Sequence, residues 1–250
     1  MAVTVDIKAL LTAGAHFGHN TSRWHPNMAP YIHSKRQGIH IIDLTKTVDA
    51  LEKVLPIITE VAGKGKQILF FGTKRQAKDI VRTSAENAGQ PYVTERWMGG
   101  MLTNVATVNA QIKHLKQLES RMDSGDLAKR YAKLEVQRFQ EEIDDLNLKY
   151  SGIKELNGRP GLVFVTDIIE DKNAVREAKK LGVPVVAIVD TNANPKDVDY
   201  VIPANDDAIK GLQLIIDYVV AAIEEGKNDK KAADVKAADI RADKAEAAKK

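Results

Sequence analysis

Short apolar runs recur along the chain, and each is followed by a segment whose apolar residues have helical spacing. The runs are rich in β-branched residues and do not alternate with polar ones, which is typical of strands buried on both faces. The predicted strands cover residues 39–44, 67–72, 91–94, 162–166, 183–190 and 200–203. The predicted helices cover residues 48–61, 75–88, 173–181 and 207–225. Strands that alternate with helices predict an α/β fold with a doubly wound parallel sheet.

Three residues mark where these helices end or bend. Gly89 and Gly182 fall just past two of the predicted helices, where glycine commonly terminates a helix. Pro56 lies inside the first predicted helix, so we expect a kink or a restart there.

The alternation stops between residues 103 and 150, where there is no strand signal. Apolar residues recur every three or four positions before and after the polar turn DSGD at residues 123–126. Two apolar stripes joined by a polar turn predict an antiparallel helical hairpin, close to a coiled coil. Its outer faces are charged throughout, which favours a protruding hairpin over two helices packed on the sheet.

The predicted organisation is one α/β domain with an insertion. Residues 1–102 and 151–225 form the α/β domain, and residues 103–150 form the inserted coiled-coil hairpin. The tail, residues 226–250, is almost entirely Ala, Lys and Asp, which predicts a disordered or transiently helical segment. A solvated chain end and a loose contact with RNA are both compatible with this composition.

Composition narrows the classes of function. The chain has no cysteine, which excludes disulfides, thiolate catalysis and Cys-based metal sites. No apolar run approaches the ~18 residues of a membrane span, and the first ten residues have no basic flank or signal-type stretch. We therefore expect a cytoplasmic protein with no membrane partner.

The net charge of +3 is unevenly distributed along the chain. Residues 1–116 hold 15 Lys and Arg against 8 Asp and Glu, a balance of +7. Residues 117–225 hold 14 against 21, a balance of −7, and the tail holds 8 against 5. Such an asymmetry indicates a polyanionic partner for the basic half.

Residues 16–40 are the most informative basic segment, and we expect them to be mostly loop. Cations next to flat rings in an irregular segment suit single-stranded or irregular RNA, through stacking and phosphate contacts. The alternative is a loop folded over the sheet with its aromatic residues buried. The rings and cations are Phe17, Trp24, Tyr31, Arg23, Lys35 and Arg36.

Histidine suggests a metal site, because five of the six histidines lie within the first forty residues. The HFGH motif at residues 16–19 has a spacing that can bind metal on one helical turn, although Gly18 weakens that helix. Asp190 and Asp206 follow predicted strands, at the edge where open α/β sheets gather ligands. His19, Asp190 and Asp206 are therefore candidate ligands for a structural zinc ion. Turn and N-cap roles for the two aspartates are the alternative.

The alternative function, from another class, is that of a nucleotide-dependent enzyme. Gly72 follows a strand and opens a helix, where backbone N–H groups can hold a phosphate. Such an enzyme would use this loop together with His19 and Asp190. The loop lacks the three glycines of the dinucleotide fingerprint, and the chain has no GxSxG elbow.

The motif RWMGGMLTN at residues 96–104, directly before a long helix, resembles the hallmark of the family of the second small-subunit ribosomal protein (S2). HFGH at residues 16–19 and FGTKR at residues 71–75 are similar to that family too. So are VVAIVDTNANP and VIPANDDA within residues 185–208. The resemblance runs in order from about residue 7 to residue 225, and its hairpin suggests the bacterial branch.

The resemblance implies a flavodoxin-like α/β/α domain with a coiled-coil hairpin. It also implies a non-enzymatic constituent of the small ribosomal subunit, active in assembly and translation, with no required cofactor. The implied partners are small-subunit ribosomal RNA near the junction of head and body and other small-subunit proteins, including the first, messenger-binding one. Carried onto this sequence, the RNA contacts fall on Arg23, Trp24, Lys35, Arg36, Lys74, Arg75, Arg96, Trp97 and Asn104.

The residue chemistry of the RWMGGMLTN motif agrees with an RNA contact. The adjacent glycines allow a sharp turn. Thr103 or Asn104 can cap the following helix, whose free N–H groups would then face a phosphate. Arg96 and Trp97 supply a charge and a stacking face. The alternative is a purely structural hinge between sheet and hairpin.

Overall fold

The computed structural model describes the backbone of residues 4–247 and the side chains of residues 4–232. Within these residues, no helix is both long enough and apolar enough to cross a membrane. In chain order, the helices and strands are α1 (Ile7–Thr12), β1 (Phe17–Asn20), β2 (Ile32–Arg36), β3 (Ile39–Ile42), α2 (Leu44–Gly63), β4 (Ile68–Phe71), α3 (Lys78–Asn87), β5 (Tyr92–Val93), α4 (Val105–Asp123), α5 (Asp126–Arg130), α6 (Lys133–Tyr150), β6 (Leu162–Val165), α7 (Lys172–Lys180), β7 (Val185–Val189), β8 (Tyr200–Pro203) and α8 (Ile209–Ala247).

Five parallel strands form the central sheet, in the order β5-β4-β6-β7-β8. Strands β4, β6 and β7 are buried along their whole length, because helices cover both faces of the sheet. Successive side chains of a strand point to opposite faces. Phe70, in register with Phe164, therefore packs with α1, α2, α3 and α8, whereas Phe71 packs with α4, α6 and α7. The predicted doubly wound α/β fold is confirmed.

The predicted helix ends are present, and of the two outcomes expected at Pro56 the restart is absent, whereas the kink stays a prediction. Gly89 and Gly182 follow α3 and α7 with φ values of 54° and 62°, as helix-terminating glycines do. Helix α2 continues through Pro56 as a single helix of 20 residues. Pro56 and Glu52 are both exposed, so the carbonyl of Glu52, which loses its helical partner, can be hydrated.

A separate three-stranded antiparallel sheet, in the order β1-β3-β2, occupies residues 17–42. The predictions of a parallel strand over residues 39–44 and of a loop over most of residues 16–40 are therefore wrong. Strands β2 and β3 are joined by a two-residue turn at Gln37 and Gly38, whose φ values of 50° and 80° are those of tight hairpins. An apolar run alone does not distinguish a parallel strand from a hairpin strand, whereas this turn is a local signal for the hairpin.

The insertion contains two long helices, α4 and α6, which contact each other. The predicted turn is present, with Gly125 at a φ of 69°, but the second arm is interrupted between α5 and α6 by extended backbone at Tyr131 and Ala132. The antiparallel course, the protrusion and the domain division at residues 103–150 stay predictions. The apolar stripes of both helices join the core on the Phe71 side of the sheet through residues that include Leu115, Leu118, Ile143 and Leu146.

The last helix includes most of the tail, whose predicted disorder or transient helicity stays a prediction. Helix α8 extends to Ala247, so the segment from residue 226 is helical wherever the structure describes it, and residues 248–250 lie outside the described residues. Alanine and lysine are strong helix formers. The start of the tail is also packed, because Gly226 lies against α2 and Lys227 donates a hydrogen bond to the carbonyl of Ala88.

Gly226→Ala tests the packing of α8 on α2. A Cβ at this position would collide with the backbone oxygen of Thr59 and lie 2.9 Å from the Cβ of Ala62. We expect the free energy of unfolding to fall by about 1–3 kcal/mol, as in other overpacked contacts. Urea unfolding followed by circular dichroism measures this change.

Gly63→Ala is the matched control, because a Cβ there would have its nearest neighbour at 3.5 Å. We expect this variant to be at least as stable as the wild type, since alanine is the better helix former. A Gly226→Ala variant as stable as Gly63→Ala would contradict the close contact between the two helices.

Candidate nucleic-acid interface and carboxylate cluster

The parallel strands deliver polar residues to one edge of the central sheet. Asp167, Asp190 and Asp206 follow β6, β7 and β8, and all three are buried. Lys74 follows β4 at the same edge, because the carboxyl ends of neighbouring parallel strands lie side by side. We call the following residues the carboxylate cluster: His19, Lys74, Asp167, Asp190, Asp206 and Asp207.

Strand β1 brings His19 over this edge. Its Nδ1 lies 3.1 Å from Oδ2 of Asp190, and its Nε2 lies 3.6 Å from Oδ2 of Asp207. Ligand atoms of His19, Asp206 and Asp207 all lie within 4.8 Å of one another. The structure therefore brings together the three residues predicted as metal ligands. It adds Asp207, which adjoins Asp206 in the chain and could have been found by that proximity.

Gly18 allows β1 to approach the loop after β7. A Cβ on Gly18 would lie 2.6 Å from Cγ2 of Thr191, so a side chain at this position would clash. The close approach lets the backbone N–H of His19 donate a 2.8 Å hydrogen bond to the Thr191 hydroxyl. That hydroxyl in turn donates to Asp190 at 3.1 Å. Within the HFGH motif, Gly18 thus permits the close approach, and His19 contacts the carboxylate cluster.

Lys74 is the ammonium group of the carboxylate cluster. Its Nζ lies 2.7 Å from Oδ1 of both Asp206 and Asp207 and 3.6 Å from Oδ2 of Asp167. Its side chain is only 15% exposed, so its charge neutralises carboxylates instead of facing solvent. The predicted RNA contact at Lys74 therefore does not match its position, whereas the neighbouring Arg75 is exposed.

The pKa values of Asp206 and His19 are both raised within the carboxylate cluster. Burial, together with the charges of Asp190 and Asp167, raises the pKa of Asp206 to about 7. The hydrogen bond to Asp190 raises the pKa of His19. Burial by itself would lower the pKa of Lys74, but the hydrogen bonds to its carboxylates outweigh it and raise the pKa. The cluster can therefore exchange a proton, or hold a cation, close to neutral pH.

The loop after β4 directs the amide of Thr73 at a carboxylate of the protein. The backbone N–H and the hydroxyl of Thr73 donate to Asp171 at 3.4 Å and 2.5 Å. Gly72 provides close packing, because a Cβ there would lie 2.6 Å from the hydroxyl of Thr166. Burial raises the pKa of Asp171 to about 7. The loop is thus used in packing the fold, which does not favour the nucleotide-dependent enzyme.

The small antiparallel sheet and the short 3-10 turn after β1 present exposed cations and an exposed ring. Arg23, Lys35 and Arg36 are exposed, and Trp24 is 39% exposed. The indole of Trp24 packs on the ring of His40, with ring centroids 5.2 Å apart, which holds it on the sheet. We call Arg23, Trp24, Lys35 and Arg36 the basic sheet surface.

The RWMGGMLTN motif wraps around the carboxylate of Glu177 from α7. We call residues 97–103 the Glu177 turn. Burial by itself would raise the pKa of Glu177, but the hydrogen bonds of the turn outweigh it and lower the pKa. The donors are Trp97 Nε1 at 2.9 Å and Gly100 N at 2.7 Å to Oε1, and Leu102 N at 3.1 Å, Thr103 N at 3.2 Å and Thr103 Oγ1 at 3.1 Å to Oε2.

This contact changes the interpretation of the motif. Trp97 is only 8% exposed and packs edge-on against Phe71, so it presents no stacking face to RNA. The backbone N–H groups of Gly100, Leu102 and Thr103, directly before α4, are bound to Glu177 and are not available to a phosphate. Asn104 occupies the N-cap position of α4, although its side chain makes no capping hydrogen bond. Arg96 and Asn104 are exposed on either side of the turn.

Fold and surface together define a class of protein. The chain is a doubly wound α/β protein with a second small sheet, and this sheet and the turn after β1 expose cations and an indole ring. Exposed cations together with an aromatic ring are typical of nucleic-acid-binding proteins.

Known proteins identify the family within this class. The sequence model of the family described as Ribosomal protein S2 matches residues 10–226. The chain is 50% identical over 222 residues to small ribosomal subunit protein uS2 of Chloroflexus aggregans, which covers 89% of this chain and 93% of that protein. Identity to the proteins of the same name is 47% over 232 residues in Dehalococcoides mccartyi (93% and 94% covered) and 46% over 227 residues in Thermus thermophilus (91% and 88% covered). The chain belongs to the ribosomal protein S2 family.

Membership of this family confirms the predicted class of function. The family consists of structural, non-enzymatic proteins of the ribosome, so the predicted role in translation and the cytoplasmic, ribosomal location are confirmed. The family is not known to need a cofactor. The alternative of a nucleotide-dependent enzyme built on Gly72, His19 and Asp190 has no support.

Asp206→Asn tests the protonation of the carboxylate cluster. A carboxyl whose pKa rises from 3.8 to about 7 on folding binds its proton more tightly in the folded state, so it favours folding as the pH falls from 7. The raised pKa of His19 acts in the same direction. We expect the wild-type free energy of unfolding to fall as the pH rises from about 5 to 8. In Asp206→Asn this slope should be flatter by up to ~1 kcal/mol per pH unit.

Asp49→Asn is the control for this experiment, because Asp49 is exposed on α2 and should leave the slope unchanged. Urea unfolding at a series of pH values gives the slopes. Identical slopes for Asp206→Asn and the wild type would contradict the predicted titration of Asp206.

Proposed function

We propose that the protein binds small-subunit ribosomal RNA chiefly through the basic sheet surface. The observation that supports this proposal is that the small sheet, together with the turn that follows β1, holds three exposed cations and a half-exposed indole. In the part of the chain that the structure describes, Arg23, Lys35 and Arg36 are in no ion pair with a carboxylate. Free cations next to a ring offer phosphate contacts together with a stacking platform.

A second contact is supported by Arg75, Arg96 and Asn104, whose side chains are all exposed. This proposal gives Lys74 and Trp97 structural roles in place of the RNA contacts predicted for them. Lys74 neutralises the carboxylate cluster, and Trp97 anchors the Glu177 turn. Both residues therefore support the RNA-binding surfaces from within the fold.

The acidic half of the chain is proposed to meet other small-subunit proteins, which are commonly basic. Within residues 141–145, helix α6 exposes four carboxylates, which suit such partners by charge. The first, messenger-binding protein is among the partners implied by the resemblance. We propose that residues 103–150 form a hairpin unit distinct from residues 1–102 and 151–225. The four carboxylates are Glu141, Glu142, Asp144 and Asp145.

The double variant Lys35→Gln/Arg36→Gln is expected to lower both the affinity for RNA and its salt dependence. Each phosphate contact releases counterions, so the slope of log affinity against log salt concentration should fall by ~0.7 per lost contact, about 1.4 for the pair. Fluorescence anisotropy with small-subunit ribosomal RNA over a series of KCl concentrations measures both quantities.

Lys179→Gln/Lys180→Gln is the matched control, because it removes two adjacent exposed lysines from the last turn of α7. We expect its affinity and slope to stay close to those of the wild type. Salt-independent binding by the wild type, or equal losses in the two double variants, would contradict the proposed interface.

We further propose that the carboxylate cluster holds a structural zinc ion. His19, Asp206 and Asp207 supply one nitrogen and two oxygen ligands within a small volume. Asp190 then fits a role other than the one predicted, because it faces Nδ1 of His19 and can orient the imidazole towards the ion. The ion would take over the neutralising role of Lys74, whose ammonium contacts the same carboxylates.

Zinc bound in this cluster should be lost in His19→Ala. After dialysis against zinc and then buffer, elemental analysis is expected to find about one zinc per chain in the wild type, less in Asp190→Asn and none in His19→Ala. His25→Ala is the control, since His25 lies outside the cluster. A metal-free wild type, or an equal zinc content in His19→Ala, would rule this site out.

A further inference from the structure

The Glu177 turn is an oxyanion-binding site that the chain fills with its own carboxylate. Three backbone N–H groups, an indole N–H and a hydroxyl converge on the two oxygens of Glu177. Helix α4 begins directly after the turn, so the positive end of a 19-residue helix adds to the attraction. Donors of this kind also bind phosphate in other proteins. In this protein the carboxylate occupies the place that a phosphate would need.

The position of this carboxylate is determined by the core of the domain. Glu177 projects from α7, whose Ala174, Val175 and Ala178 are buried against the central sheet. The turn itself is tightly folded, with Gly100 at a φ of 93°, where a Cβ would lie 3.1 Å from the Cβ of Asn104. Helix α7 therefore holds one side of the Glu177 turn and fixes the two ends of the turn relative to the sheet.

We propose that Glu177 is a positioning residue for RNA binding, which rests on the RNA-binding function proposed above. Its carboxylate closes the Glu177 turn and so holds the exposed side chains of Arg96 and Asn104 in one arrangement. It also keeps RNA phosphates out of the turn, so that RNA contacts these side chains and not the backbone N–H groups of the turn. Glu177 itself contacts no RNA.

A double-mutant cycle tests the positioning role. Glu177→Gln keeps the shape of the side chain, but its NH₂ group cannot accept the hydrogen bonds that one carboxylate oxygen accepts. We expect it to weaken binding of small-subunit ribosomal RNA about fivefold in the wild-type background. In an Arg96→Ala/Asn104→Ala background the same change should cost less than about twofold, because the residues that it positions are absent.

Glu170→Gln is the matched control, since it removes the same charge from an exposed residue close to the start of α7 and should leave affinity unchanged. An equal loss from Glu177→Gln in both backgrounds, or no loss in either, would overturn the positioning role. Circular dichroism accompanies each variant. If Glu177→Gln loses helical signal, Glu177→Asp replaces it in the cycle, because it keeps the charge and shortens the reach by one methylene.

A second measurement tests the anion site without RNA. The chain has two tryptophans, so in a Trp24→Phe background Trp97 is the single tryptophan, and excitation beyond the absorption band of tyrosine selects its emission. We expect Glu177→Ala to shift its emission to longer wavelength, and acetate to reverse the shift where chloride at equal ionic strength does not. Failure of acetate to act would overturn the anion site. A wild type that binds no RNA would instead overturn the proposed function and leave this optical result intact.

Discussion

Parallel strands that are buried on both faces can carry polar side chains only at their ends, and this constraint organises the molecule. It collects Asp167, Asp190 and Asp206 at one edge, where unpaired buried carboxylates would be strongly unfavourable. Lys74 and His19 neutralise that edge. Because His19 comes from the small antiparallel sheet, the contact that satisfies the carboxylates also attaches the basic sheet surface to the domain. The same contact therefore neutralises buried carboxylates and holds the exposed cations of the basic sheet surface in place.

The charge asymmetry of the sequence overstates the number of cations available to RNA. Lys74 is enclosed by carboxylates, and Lys78 and Arg82 both face Glu95. These three cations thus balance acidic groups within the fold. The cations of the basic sheet surface lack such partners among the described residues, as Arg75 and Arg96 also do, so charge counted along the chain and charge free at the surface are different quantities.

The parallel sheet and its covering helices follow from local periodicity, which is why most of the fold can be predicted from the sequence. Strand β2 cannot be predicted from periodicity, because most of its residues are polar and exposed and apolar residues do not alternate with them. The local signal for this strand is the short turn at Gln37 and Gly38. The proximity of Asp190 and Asp206 follows from a topological rule about strand ends. Glu177 does not, because it is 77 residues from Gly100 and no local pattern connects an acidic residue on one helix with a distant turn.

Helix α8 closes the face of the sheet that contains Phe70 and Phe164, and it also binds the other end of the chain, since the hydroxyl of Tyr218 accepts a hydrogen bond from the backbone of Asp6. During synthesis this helix emerges after all the other described elements. Until it does, the Phe70 side of the core is covered only by α1, α2 and α3, so an emerging chain exposes the apolar surface that α8 later covers. Completion of this fold is therefore postponed until α8 has been synthesised, and a copy truncated before α8 would expose this surface to chaperones and proteases.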